Sequence, residues 1–262
     1  MIDEFFLLVT ITALMASLIT APLGCIGLWN GLAFFGETLA HASLLGVCIS
    51  VLLQLPYAYG AIMICLAIAY FIGSNNSAQS DVSLAVISST CLSVSILIIS
   101  IVPDAHLSPD ALLFGDLLST NTKDVILLTI ALFLFFLFLV KYWSAILITS
   151  FDSDLAQVQG YPAMRIRMLM LFAYAITMGI IMKLLGALFA PALTIIPAAA
   201  ARYKANVPSR MVTYAIAISC FSSLTGIAIS FYFDFPVGPT IICLSTLIMI
   251  VFKLTKQRVS LF

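Results

Sequence analysis

Residues 168–201 read MLMLFAYAITMGIIMKLLGALFAPALTIIPAAAA, and how often this stretch crosses a membrane decides the fold. At 1.5 Å per residue a single helix over it would be about 50 Å long. That is too long for one crossing of a hydrocarbon core about 30 Å thick, and short for two full ones. Gly186, Pro191 and Pro197 interrupt the apolar pattern. The stretch is therefore read as a tight reversal near Lys183–Gly186 followed by a short or broken helix. Irregular backbone at membrane depth is tolerated only where protein or a wet cavity surrounds it, so Pro191 and Pro197 are expected to face the interior. The competing reading is one kinked helix facing lipid.

Charge placement favours the reversal. With nine spans and the amino terminus outside, the cytoplasmic side receives Lys141, Arg165, Arg167, Arg202, Lys204, Arg210, Lys253, Lys256 and Arg258, while only Lys123 and Lys183 stay outside. Lysine and arginine concentrate on the cytoplasmic side of short loops. Removing the short span would put the last six of those cytoplasmic charges outside.

Working outward, apolar runs place spans near Phe5–Leu28, Phe34–Gln54, Tyr57–Gly73, Val82–Val102, Val125–Val140, Met168–Lys183, Ala187–Ala201, Met211–Phe233 and Pro239–Phe252. The chain is 63% hydrophobic and 8% charged, against about 25% charged in soluble domains. It is read as an all-α, polytopic transmembrane bundle, with residues 1–262 forming a single domain. Eleven basic and eleven acidic residues leave no basic surface for a nucleic acid. The six cysteines stand singly in apolar runs and are read as small packing residues. The start, MIDEFF, lacks the positive n-region of a cleaved signal, so the first run is expected to be retained as a span.

Within the second span, residues 34–46 read FFGETLAHASLLG and put Glu37 and His41 four residues apart. On a helix these share one face, one turn apart. Ionisable groups inside a membrane span mark functional sites by default. A carboxylate and an imidazole make half of a tetrahedral zinc site. Two copies related by a twofold axis would supply two nitrogens and two oxygens, with two carboxylates to offset the charge of a divalent ion. Imidazole with carboxylate suits zinc, and also manganese and iron. The alternative is a hydrogen-bonded pair serving only helix packing or gating. The chain has no GxxxxGK[ST], GxSxG, HExxH or dinucleotide fingerprint, so transport is expected rather than catalysis, with no cofactor held tightly.

Two loops carry further candidates. Residues 150–167, SFDSDLAQVQGYPAMRIR, can form a one- to two-turn helix capped by Asp152 or Ser153 and stopped by Gly160 and Pro162. Asp152, Asp154, Ala156 and Gly160 are read as a docking element for a soluble partner, the alternative being a passive connector. The outer connection from Pro103 to Asp124 carries Asp104, His106, Asp110 and Asp116. Its middle, DALLFGDLL, is apolar enough to dip back toward the membrane, with Asp116 either capping a re-entrant helix or meeting a metal. Asp234, in YFDFPVGPT, sits in turn chemistry and is expected to cap the last helix, with metal contact as the second reading.

In order along the chain, FFGETLAHASLLGV, LLFGDLL, SDLAQVQG, MKLLGAL, IIPAAAAR and DFPVGPTI are similar to the membrane permease subunit of bacterial zinc ABC importers, within the zinc/manganese/iron permease family. The similarity runs from about Phe34 to Ile241. It implies a helical fold related to the cobalamin-importer permeases, a homodimer in the bacterial inner membrane, a separate cytoplasmic ATPase and a periplasmic zinc-binding protein. That family usually has aspartate where Glu37 stands, basic residues where this chain has LWNGLAFFG, and an apolar residue at Pro191. The expected function is ATP-driven import of Zn²⁺. The alternatives are a manganese or iron permease of the same family, a proton-coupled secondary metal transporter, and a permease of this fold for an organic chelate.

Overall fold

The computed structural model describes residues 2–75, 80–101, 113–115 and 121–259. Its elements are α1 (Ile2–Trp29), α2 (Phe35–Leu52), α3 (Tyr57–Ser74), α4 (Asp81–Ile101), α5 (Thr122–Phe151), α6 (Ser153–Val158), α7 (Ala163–Arg202), α8 (Pro208–Phe233) and α9 (Val237–Val259). Among the described residues, nine segments are long and apolar enough to cross a membrane, and α7 supplies two of them, Ala163–Met182 and Leu184–Arg202. This is a multi-pass membrane protein, as its composition requires.

Helix α7 is interrupted by a kink at Gly186, with φ 73° and ψ 166°. That backbone region is open essentially to glycine alone. The helix then continues through Pro191 and Pro197, both buried. The prolines thus face inward, but they do not break the helix; Gly186 does. The outer-loop segment Leu113–Gly115 lies directly on this point. A Cβ on Gly186 would strike the backbone of Gly115, Leu113 and Phe114, and one on Gly115, itself at φ 70°, would strike Gly186 and Leu185. Phe114 and Phe189 hold the contact from the side, with ring centroids 5.9 Å apart.

Helix α5 departs from expectation at its far end. The apolar run stops at Val140, yet the helix carries Lys141, Tyr142 and Trp143 on to Phe151. Lys141 Nζ sits 5.3 Å from the centre of the Tyr142 ring, which compensates part of the charge.

The chain divides into two compact units. One takes the described parts of Met1–Leu28, Leu117–Leu134 and Ala192–Phe262. Within it α1 and α8 run antiparallel, since Phe6 meets Phe231 (5.0 Å) while Ser17 Oγ meets Ser223 Oγ (2.7 Å) further along. The other unit takes the described parts of Trp29–Asp116 and Phe135–Pro191. There α2 is buried along most of its length, with α3 and α4 against it. Gly46 and Gly60 let the α2 and α3 backbones approach closely. Helices α2 and α4 run parallel, because their partner numbers rise together: Thr38 with Leu84, His41 with Ser88, Cys48 with Ser95.

Candidate metal site

Helix α2 begins at Phe35, which is fully buried and stands edge-on to Tyr174 with ring centroids 5.3 Å apart. That anchor fixes where the first turn points. Glu37 in this turn is half-buried, and His41 one turn on is 7% exposed. The His41 ring is held from α4: Nδ1 lies 2.7 Å from Ser88 Oγ. The carbonyl of Leu84, one turn before Ser88, accepts the Thr38 hydroxyl at 3.1 Å. Thr38 Oγ1 lies 2.9 Å from the Phe34 carbonyl as well, and Ser43 Oγ donates to Ala40 at 2.7 Å. The neighbouring hydroxyls are thus engaged by backbone.

When Nδ1–H donates to Ser88, the lone pair on Nε2 is the one a metal can take. Such a partner fixes both tautomer and ring orientation in metal sites. Among the described residues no group of three or more His, Cys, Asp or Glu is placed to hold a metal ion. Glu37 and His41 are two donors, and a tetrahedral ion needs four. The cysteines of this unit are engaged in packing: Cys65 Sγ donates to the Leu39 carbonyl (3.3 Å) and Cys48 Sγ to that of Ser95 (3.6 Å).

The other candidates separate. Asp116, with Asp104, His106 and Asp110, lies outside the described residues. Asp234 is exposed and forms the left-handed C-cap of α8, with φ 54° and its N–H bonded to the Ser230 carbonyl. It ends α8 where the sequence suggested a cap for α9, which starts only at Val237. Asp152 caps α6 as expected, its Oδ1 accepting the N–H groups of Asp154 and Leu155, both at 3.0 Å. Gly160 stops the segment at φ 80°. Asp154 faces solvent and Ala156 is fully buried, while the apolar Leu155 and Val158 are exposed.

Comparison with known proteins decides the family. The model of the ABC 3 transport family matches residues 2–256. The chain belongs to the ABC 3 transport family. Among family members it is 35% identical to the high-affinity zinc uptake system membrane protein ZnuB of Haemophilus influenzae, over 95% of this chain and 96% of that one. It is 28% identical to the manganese import system permease protein ScaB of Streptococcus gordonii, over 95% and 91%. Among solved structures, PsaBC from Streptococcus pneumoniae in complex with Fab superposes with a TM-score of 0.83 at 26% identity, covering 96% of this chain and 95% of that one.

Proposed function

We propose that this chain is the membrane permease of an ATP-driven importer that carries Zn²⁺ across the bacterial cytoplasmic membrane. The observation that carries the reading is the Glu37–His41 pair, one helical turn apart on a buried helix, with the imidazole oriented by Ser88. Zinc is favoured over manganese because the zinc relative matches at 35% identity and the manganese relative at 28%. The whole chain, 1–262, acts as one permease domain and binds no resident cofactor; zinc is its cargo.

Two copies associate so that Glu37 and His41 of each chain hold the ion transiently on a path along the seam. A loose two-ligand contribution per chain suits an ion that must leave again. A periplasmic binding protein delivers the metal on the outer side, where Asp116 and Asp234 belong as secondary acidic positions. A separate cytoplasmic ATPase engages α6 through Asp152, Asp154, Ala156 and Gly160, and its cycle drives alternating access. The permease itself performs no chemistry. A proton-coupled secondary transporter is less well supported, since such machines need relays of several acidic or histidine groups in the membrane.

The test is uptake by the permease reconstituted in liposomes with its ATPase and binding protein. Zinc is expected to accumulate only with ATP, and excess manganese or iron is expected to compete poorly. Manganese import at an equal or higher rate would reassign the cargo. A finer expectation concerns Ser88→Ala, which frees the His41 ring. Zinc affinity measured on the purified permease should fall about tenfold, with the helical circular dichroism unchanged. Undiminished affinity would show that Ser88 does not set the ring.

A further inference from the structure

Trp29 and Asn30 close α1 and open the link to α2, and both are seated on the last turns of α5. The Trp29 ring stands edge-on to Trp143 with centroids 6.2 Å apart, and 6.1 Å from Phe151. Asn30 Nδ2 donates to Ser150 Oγ at 2.8 Å. Ser150 and Phe151 immediately precede Asp152, the residue that caps α6. The same corner leads, through the short link 30–34, into the first turn of α2 and Glu37. Helices α6 and α2 are far apart along the chain, and this corner brings the approaches to both into contact.

We propose that the Trp29–Asn30 corner is a positioning joint: displacement of α6 is passed through Phe151 and Ser150 to the start of α2, and so to Glu37 and His41. The proposal rests on the reading of α6 as the helix that the ATPase moves. Three features suit the corner to this role. Trp29 is gripped by aromatic rings from two different turns of α5, so it follows a tilt of that helix end and does not merely slide along it. The hydrogen bond from Asn30 fixes the backbone one residue further on. Gly31, at φ 67° with open space around it, and the buried Phe35 on Tyr174 then give a bend and a pivot. Movement of the corner is thereby turned into rotation of the first turn of α2, where Glu37 sits, and not into translation of the whole helix.

The experiment measures zinc imported per ATP hydrolysed, in liposomes carrying the permease with its ATPase and binding protein. Trp29→Ala and Asn30→Ala should each lower that ratio about fivefold, with the ATPase rate kept within about twofold of the parent. Trp29→Phe, which keeps a ring in the clasp, should restore most of the ratio. Asn30→Ala combined with Ser150→Ala should do no more harm than Asn30→Ala alone, because the bond that Ser150→Ala removes is already gone. A merely structural corner would lower assembly, hydrolysis and import together and leave the ratio unchanged; that result overturns the proposal. If Trp29→Ala does not assemble, Asn30→Ala decides, since it removes the hydrogen bond to Ser150 and no ring, and an unchanged ratio there overturns the joint. A parent protein that hydrolyses ATP without importing zinc would instead count against the transport reading itself.

Discussion

Glu37→Gln is expected to reduce zinc import by about a hundredfold while leaving the permease folded and assembled. The substitution keeps shape, removes the charge and exchanges one acceptor oxygen for an amide donor. A divalent ion in a low-dielectric passage is tolerated when carboxylates offset its charge, and losing one partner of a buried ionic contact typically costs about 3–5 kcal/mol. At 1.4 kcal/mol per factor of ten, that is about two to three and a half orders of magnitude in binding. In a twofold assembly the change removes a carboxylate from each chain, so both charges that offset the ion go together. Stability should move the other way or not at all. Glu37 is half-buried among neighbours already engaged by backbone, and a neutral amide is easier to keep there than a carboxylate. Zinc import and thermal melting of the purified permease, measured side by side, separate a ligand role from a packing role. Import within about twofold of the parent would remove Glu37 from the metal path. Glu37→Asp, which keeps charge on a shorter arm, should retain part of the activity that Gln loses.

Much of this architecture was legible in the sequence because membrane folding obeys few rules. Apolar length fixes the spans, lysine and arginine fix their number, and Asp152 with Gly160 brackets α6, because a cap and a stop are local chemistry. Local chemistry also explains the misses. Val140 looked like a helix end since Lys141 is charged, but nothing in the following residues breaks a helix before Phe151. Pro191 and Pro197 looked like breaks because proline lacks an N–H, yet a buried helix in a well-packed bundle absorbs them. Asp234 read as an N-cap of α9 by its turn chemistry, while its left-handed backbone makes it the end of α8.

The candidate site divides along the same line. Glu37 and His41 stood out because two ionisable side chains at a spacing of four interrupt an apolar run. Ser88 did not, because it is one of three consecutive hydroxyl residues, Ser88–Thr90, and only the parallel register of α2 and α4 selects which of them faces His41. The Trp29 corner was hidden for a similar reason: tryptophan at a span end reads as an interfacial anchor, and nothing local points to Phe151. Pairings over long sequence separation are tertiary facts that no window of residues contains.

Gly186→Ala should be the most destabilising single methyl addition in the second unit, lowering the yield of folded permease in detergent and its melting temperature together. Two penalties meet there. The backbone at φ 73° and ψ 166° is a region in which a residue with a side chain costs about 1–3 kcal/mol. The new methyl also meets backbone atoms of Leu113, Phe114 and Gly115, and backbone, unlike a side chain, has no rotamer to turn away. Against a total stability of about 5–15 kcal/mol, the sum is enough to disturb the kink between the two halves of α7. Gly160→Ala is the control that separates the terms, since Gly160 has a similar φ of 80° with nothing near the added methyl; it should show the backbone penalty alone, about 1–2 kcal/mol. Gly115→Ala should resemble Gly186→Ala, and the double variant should fall short of the sum, because the two positions press on one another and share a single contact. If Gly186→Ala melts no lower than Gly160→Ala, the segment Leu113–Gly115 does not rest on the α7 kink, and the kink is held by its own backbone.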